Sequence, residues 1–360
     1  MNKFEVLETK GDAYDRGFTY GSQRKKMITD LAQSHYMFHN KYFSTSKDQL
    51  RERARKFLPY IEEYSPEISK ELEGTAAGAE IGHDEIAIVA AFVEIYYPML
   101  LGACTAFAVA PPKTATGEIY SGQNNDEGLD PWMDGQGCVL VKFKRKDGPD
   151  VMSYMYAGTP AMMGLNTSGL SLCLNAITCE QSKLGVPSTV VAREILQQKN
   201  LDDAIEAVDR ATRANSFNYL IAEKTKRACD VEAIPNGTDK FFIENGILTH
   251  TNHILSKKLD FKRDMILASR ASYGLDTVPR YCKINELIES KSGSITLSTL
   301  FDFLRDHTNY PNSICRHADP KDPPELKGRS LDGFVIVPAK GEMWIAHGNP
   351  CENEFVKYTI

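Results

Sequence analysis

The chain has 360 residues, 42% hydrophobic and 25% charged, long enough to bury a sizeable core. A net charge of −6 argues against the basic face that nucleic acid or an anionic bilayer demands, so neither is expected as a partner.

The first hundred residues read as helices. "YDRGFTYGSQRKKMITDLAQSHYMFHNKYF", "LRERARKFLPYIEEY" and "SPEISKELEGTAAGAEI" carry apolar residues at helical spacing, and Pro66 after Ser65 marks a helix start. "IGHDEIAIVAAFVEIYY" follows, with Asp84 and Glu85 placed for its first turn. His35 and His39 lie four apart on one helix with no third donor nearby, so packing is expected of them rather than metal binding. The apolar stretch from Ile86 to Ala110 is broken by Glu94, Pro98 and Gly102 and lacks basic flanks; it reads as core, not as a membrane span. The opening "MNKFEVLETKGDAYDRG" has no signal-peptide core and the closing "FVKYTI" no targeting tripeptide, so a cytoplasmic location is expected.

From Cys104 onward the texture changes to strands. "CTAFAVAP" and "EIYSGQNN" flank the turn "KTATG", and "CVLVKFKRK" and "DVMSYMYAG" flank "DGP". "AMMGLNTSGLSLCLNAI" predicts a hairpin turned at Asn166–Gly169, and helices are predicted at 187–198 and 201–212. Strands return at "FNYLIAEK", "ACDVEAI", "KFFIENGILTHTN", "GFVIVPA" and "EMWIAHG". Antiparallel strands with helices grouped between them predict an α+β layered domain.

Eight cysteines, at 104, 138, 173, 179, 229, 282, 315 and 351, form no C-x-x-C pair, so free thiols are expected and neither a structural metal nor a cofactor is. Cys104, in "LLGACTAFAV", stands where helix gives way to strand. One reading is a buried strand cysteine. The other is a self-released nucleophile: the thiol attacks the preceding carbonyl, and hydrolysis of the thioester frees an α-amine whose ordinary pKa of ~7.7–8.0 suits a general base. A rival arrangement is a conventional Cys–His hydrolase built on Cys315 with His307 or His317. "THTNH" carries an H-x-x-H spacing, but strand alternation would set His250 and Asn252 on one face and His253 on the other, against a metal.

The segments "GACTAF", "SGQNNDEG", "GLNTSGLSLCLNA", "GVPSTVVAREIL", "THTNH", "NYPNSICRH" and "NPCENEF" resemble, in order, those of peptidase C45-type proteins. That group contains the acyl-coenzyme A:6-aminopenicillanic acid acyltransferases and related amide hydrolases, and belongs to the N-terminal nucleophile (Ntn) hydrolases. The resemblance implies a four-layer αββα sandwich preceded by a mostly helical region. Residues 1–103 and 104–360 would form one compact unit, cut between Ala103 and Cys104 into chains that stay associated; a homo-oligomer is left open. Cys104 would be the nucleophile, and Asp126 would accept a hydrogen bond from its α-amine. Asn175 and Asn252 would donate near the oxyanion, and Arg280 would favour the thiolate. Gln123 and Thr277 would support the site, Thr277 keeping a hydroxyl where the acyltransferases have serine. Three positions depart from the pattern: Ala103 replaces a glycine, which limits the backbone strain available for cleavage, Gln123 occupies the position of a bile salt hydrolase arginine while agreeing with the acyltransferase branch, and Asn125 stands where that branch often has tryptophan. The implied reaction is hydrolysis or transfer of a small N-acyl amide or acyl-thioester through a Cys104 acyl-enzyme. A non-catalytic binding protein that kept the fold is the alternative class.

Overall fold

The computed structural model describes residues 3–96, 103–128, 137–177, 183–259, 276–322 and 327–360. The chain opens with a short strand, β1 (Val6–Thr9), then α1 (Ala13–Gln23), α2 (Lys25–Phe43), α3 (Lys47–Arg55), α4 (Leu58–Tyr64), α5 (Pro66–Ala79), α6 (His83–Ala90) and α7 (Phe92–Tyr96). Capping boxes at Asp12–Asp15 and Ser46–Gln49 start α1 and α3, and Pro66 opens α5 at its first position, where no amide hydrogen is needed.

α1 and α5 meet backbone to backbone. An added Cβ at Gly17 would lie 1.9 Å from the Glu71 carbonyl oxygen, and one at Gly21 2.1 Å from that of Thr75. Gly74 and Gly78 answer from the other helix, against Tyr14 and Phe18 at 2.2 Å each. Buried charges lock the same crossing: Arg16 holds Glu67 at 2.6 Å and Glu71 at 2.9 Å, and Arg193 reaches Glu71 at 3.0 Å.

The remaining strands are β2 (Ala103–Val109), β3 (Tyr120–Gly128), β4 (Cys138–Phe143), β5 (Val151–Tyr156), β6 (Met163–Asn166), β7 (Leu170–Ala176), β8 (Phe217–Glu223), β9 (Ala228–Ile234), β10 (Gly237–Phe242), β11 (Ile247–His250), β12 (Gly328–Val337), β13 (Glu342–His347) and β14 (Val356–Thr359). Between them run α8 (Ser188–Leu196), α9 (Leu201–Asp209), α10 (Thr277–Ser290) and α11 (Leu297–Leu304). One sheet has eight strands in the order β1-β4-β5-β6-β7-β8-β9-β10; the other has six, β11-β2-β3-β12-β13-β14.

Strand alternation divides the side chains of β2 and β12 between two cores. Ala106, Ala108, Phe334 and Ile336 join the large core with Leu172, Leu220 and the α8 residues Val190 and Ile195. Phe107, Val109, Val335 and Val337 pack instead with Ile284 and Ile288 of α10 and Leu300 and Leu304 of α11. The order is helix, sheet, sheet, helix. Both faces of β2 are buried, which is why its sequence reads as an unbroken apolar run.

The structure departs from the sequence reading in three places. β1 and β14, four residues each, were too short to show a period. The run "KFFIENGILTHTN" is two strands in different sheets, β10 and β11. They part at Asn245 and Gly246, whose φ values of 51° and 78° turn the chain, and a Cβ on Gly246 would strike the Ala110 carbonyl oxygen at 2.4 Å. Among the described residues no helix is long and apolar enough to cross a membrane.

Candidate active site

Antiparallel pairing sets Cys104 opposite Asn125 and Ala103 opposite Asp126. Directly opposed residues share a face, so Cys104, Asn125 and, two further on, Glu127 point between the sheets, whereas Asp126 points to the outer helices. The thiol opens on a small pocket lined by Phe92, Val93, Met162, Leu174, Phe217 and Glu127. Its sulfur lies 3.9 Å from Asn125 Oδ1. Two roomier surface clefts, one between α4 and α8 and one beside β10, are lined by no cysteine among the described residues.

The main chain of Cys104 is clamped on both sides. Its N–H donates to Asn252 Oδ1 at 2.8 Å, and its carbonyl accepts from Arg280 Nη1 at 2.6 Å. Arg280 also donates to Thr105 Oγ1 at 3.0 Å and to Asn252 Oδ1 at 2.8 Å, so the guanidinium ties the strand to the 251–256 loop. That loop is itself fixed. Asn252 N–H donates to Thr277 Oγ1 at 2.9 Å, its Nδ2 to Ala176 O at 3.0 Å, and buried Glu232 accepts from Ser256 N–H at 2.9 Å and contacts His250 at 2.8 Å. β11 stops at His250, so strand alternation does not carry on to His253. The two imidazoles lie on the same side, ring centroids 6.5 Å apart, rather than on opposite faces as the sequence suggested.

Asp126 is fully buried on the outer face. It accepts from Ser330 Oγ at 2.6 Å, and Arg316 Nε lies 3.8 Å away. Arg316 also binds Asp276, which Arg280 approaches at 3.4 Å, giving an acid–base chain Asp126–Arg316–Asp276–Arg280 behind the nucleophile. In the uncut chain the nitrogen of Cys104 faces Asn252, and the Asp126 carboxylate is engaged by Ser330. Burial pushes the Cys104 thiol well above its ordinary range, and the Glu127 and Asp126 charges add to that; Arg280 opposes them without prevailing. Arg280 thus pulls toward the thiolate, as expected of it, but in the intact chain burial outweighs that pull.

Asn175 lies on β7, across from β2 and β3. Its Oδ1 accepts from Asn218 at 3.2 Å, while its Nδ2, among the described residues, is buried without a partner. Gln123 Oε1 accepts the Leu174 N–H at 2.8 Å and so bridges the two sheets. Thr277, at the start of α10, shapes the Asn252 loop through its hydroxyl.

Glu127 escaped the sequence reading. Burial, reinforced by Asp126, pushes its carboxyl up to about 8, so a proton-bearing acid faces the pocket at neutral pH. The available signal was the alternation of "NNDE", which sets Asn125 and Glu127 on the side of Cys104 once the pairing is known. Cys315 does lie 3.8 Å from His317 Nε2, as a Cys–His pair would require. A second imidazole and a second thiol crowd the same spot, and burial pushes the Cys315 thiol up to about 12, so it is poorly suited to attack.

Two sheets face to face between helical layers, with a cysteine at the second position of the strand next to one sheet's edge, form an Ntn-hydrolase fold. A variant of conjugated bile acid hydrolase from Clostridium perfringens shares it, with a TM-score of 0.50 at 13% identity over 71% of this chain and 97% of that one. Penicillin V acylase from Agrobacterium tumefaciens aligns with a TM-score of 0.48 at 12% identity, over 68% and 83% of the two chains. Among curated proteins none matches the sequence. The family model of acyl-coenzyme A:6-aminopenicillanic acid acyl-transferase matches residues 113–352, and the chain belongs to that family. The chain is thus a member of the acyl-transferase family with the Ntn-hydrolase fold.

Proposed function

We propose that the chain is a cysteine amidohydrolase or acyltransferase that activates itself by cutting between Ala103 and Cys104. The observation that carries this reading is the double clamp on Cys104, amide to Asn252 and carbonyl to Arg280, with the sulfur left facing a pocket. In the first stage the thiol attacks the Ala103 carbonyl, and the nitrogen of Cys104 departs with a proton, leaving a thioester. Water cleaves the thioester, giving an Ala103 carboxylate, a free thiol and a new α-amine.

In the second stage that amine takes the thiol proton as sulfur attacks the substrate's acyl carbonyl. Asn252 Oδ1, already 2.8 Å from the Cys104 nitrogen, orients the amine with Asp126 behind it, and the amide donor of Asn175, unpartnered among the described residues, holds the oxyanion. Collapse expels the substrate's amine, or the thiol of a thioester, with the transferred proton, and water or an acceptor amine resolves the acyl-enzyme. The substrate is a small N-acyl amide or acyl-thioester whose acyl group enters the largely apolar pocket of Phe92, Val93, Met162 and Leu174. A cytoplasmic location would keep the nucleophile reduced.

Denaturing electrophoresis with N-terminal sequencing tests the proposal. A fragment beginning Cys-Thr-Ala-Phe is expected from the native chain, and an uncut Cys104→Ala chain without activity. An intact chain whose amide hydrolysis survives Cys104→Ala would overturn it.

A further inference from the structure

The sequence carries no zinc-like spacing, yet the fold gathers four soft donors. His307, in the segment after α11, Cys315 and His317 in "CRH", and Cys351 after β13 place one ligand atom each within 4.8 Å of all the others. The two histidine Nε2 atoms are 3.1 Å apart, Cys315 Sγ is 3.8 Å from His317 Nε2, and Cys351 Sγ is 3.4 Å from the same nitrogen. A tetrahedral zinc with Zn–S of ~2.3 Å and Zn–N of ~2.0–2.1 Å separates its donors by roughly 3.3–3.8 Å. The three pairs at 3.1, 3.4 and 3.8 Å lie at or within a few tenths of an ångström of that range, and the other pairs, all within 4.8 Å, need only draw in around the ion.

The surroundings fit thiolates as well. Asn349 Nδ2 points at Cys315 Sγ from 3.7 Å, and the Cys351 main-chain N–H points at the same sulfur. Such donors stabilise a metal-bound sulfur and fix its orientation. We propose that His307, Cys315, His317 and Cys351 bind one zinc ion in a closed two-cysteine, two-histidine site.

The site has a task within the fold. Arg316 sits between two of the ligands and faces the other way, onto Asp126 and Asp276. Its own amide donates to Ser330 Oγ at 2.9 Å, and that hydroxyl donates to Asp126. Zinc would thus pin the loop that orders the polar network behind Cys104, making Arg316 a positioning residue rather than a catalytic one. Two thiol protons leave on binding, so retention weakens in acid.

Metal content decides the matter on the full-length, reduced chain purified without chelator. About one zinc per chain is expected, in the native protein and equally in Cys104→Ala, so the result does not depend on self-cleavage. Cys351→Ser should lose the ion, and His307→Gln, altered at the exposed end of the cluster, should release it to chelator faster. Cobalt added to the stripped native chain should give the visible bands of a tetrahedral thiolate site, and stripping should lower the thermal midpoint. A native chain that carries no zinc and gives no cobalt spectrum would overturn the proposal. Full zinc retention in Cys351→Ser, or a Cys315–Cys351 disulfide in the freshly purified chain, would do the same.

Discussion

Replacing Gly17 by alanine tests how the N-terminal helices are held. In an exposed helix the change would stabilise by about 1 kcal/mol, because alanine propagates helix better than glycine. At Gly17 the new methyl would lie 1.9 Å from the Glu71 carbonyl oxygen, on backbone that no rotamer change can move. Relief requires α1 and α5 to part by roughly an ångström, against overpacking costs of ~1–3 kcal/mol. The same shift pulls Arg16 from Glu67 and Glu71, adding to the penalty. A net loss of about 2–4 kcal/mol is expected. Urea unfolding reads it as a lower midpoint at unchanged slope. Gly237→Ala, where the added methyl meets only the Leu259 side chain at 3.3 Å, should be close to neutral. A Gly17→Ala midpoint equal to or above that of the native chain would refute the reasoning, since propensity alone predicts that sign.

Three further outcomes follow from the geometry. Asn175→Ala should lower kcat of the cut enzyme by about 10²–10³ with little change in KM, as loss of one oxyanion donor does elsewhere; a fall below tenfold in steady-state kinetics would remove Asn175 from that role. Glu127 binds its proton more tightly in the fold than in the unfolded chain, so its contribution to stability is complete below the ordinary value of 4.5 and is lost as pH rises through about 8. Glu127→Gln, neutral throughout, should flatten the decline of the thermal midpoint across that window. Glu71→Ala removes the carboxylate that faces buried Arg193 and leaves Arg16 with Glu67 alone, and should cost about 3–5 kcal/mol in denaturant titration.

What the sequence made legible follows from local physics. Cys104 stood out because composition changes around it, and the hairpin at Asn166–Gly169 because its turn residues are diagnostic. The layered architecture was legible for the same reason, as alternating strands and grouped helices leave few packings. Which side chains meet was not. That Asp126 faces the outer layer and Glu127 the pocket depends on the β2–β3 register, which no single strand encodes. The four donors at His307, Cys315, His317 and Cys351 come from segments that only tertiary folding brings together, so no spacing rule could collect them. The Asn252 loop escaped the alternation argument because β11 ends two residues earlier.

Val6–Thr9 lies parallel to Leu140–Phe143, and Phe4 reaches past it to put its N–H on the Tyr358 hydroxyl at 2.8 Å and its ring against His347. Severing the backbone before Cys104 would leave these threads woven through the downstream piece. The upstream piece would then persist as a subunit rather than be shed as a discarded leader, and separating the two would mean unravelling a sheet edge.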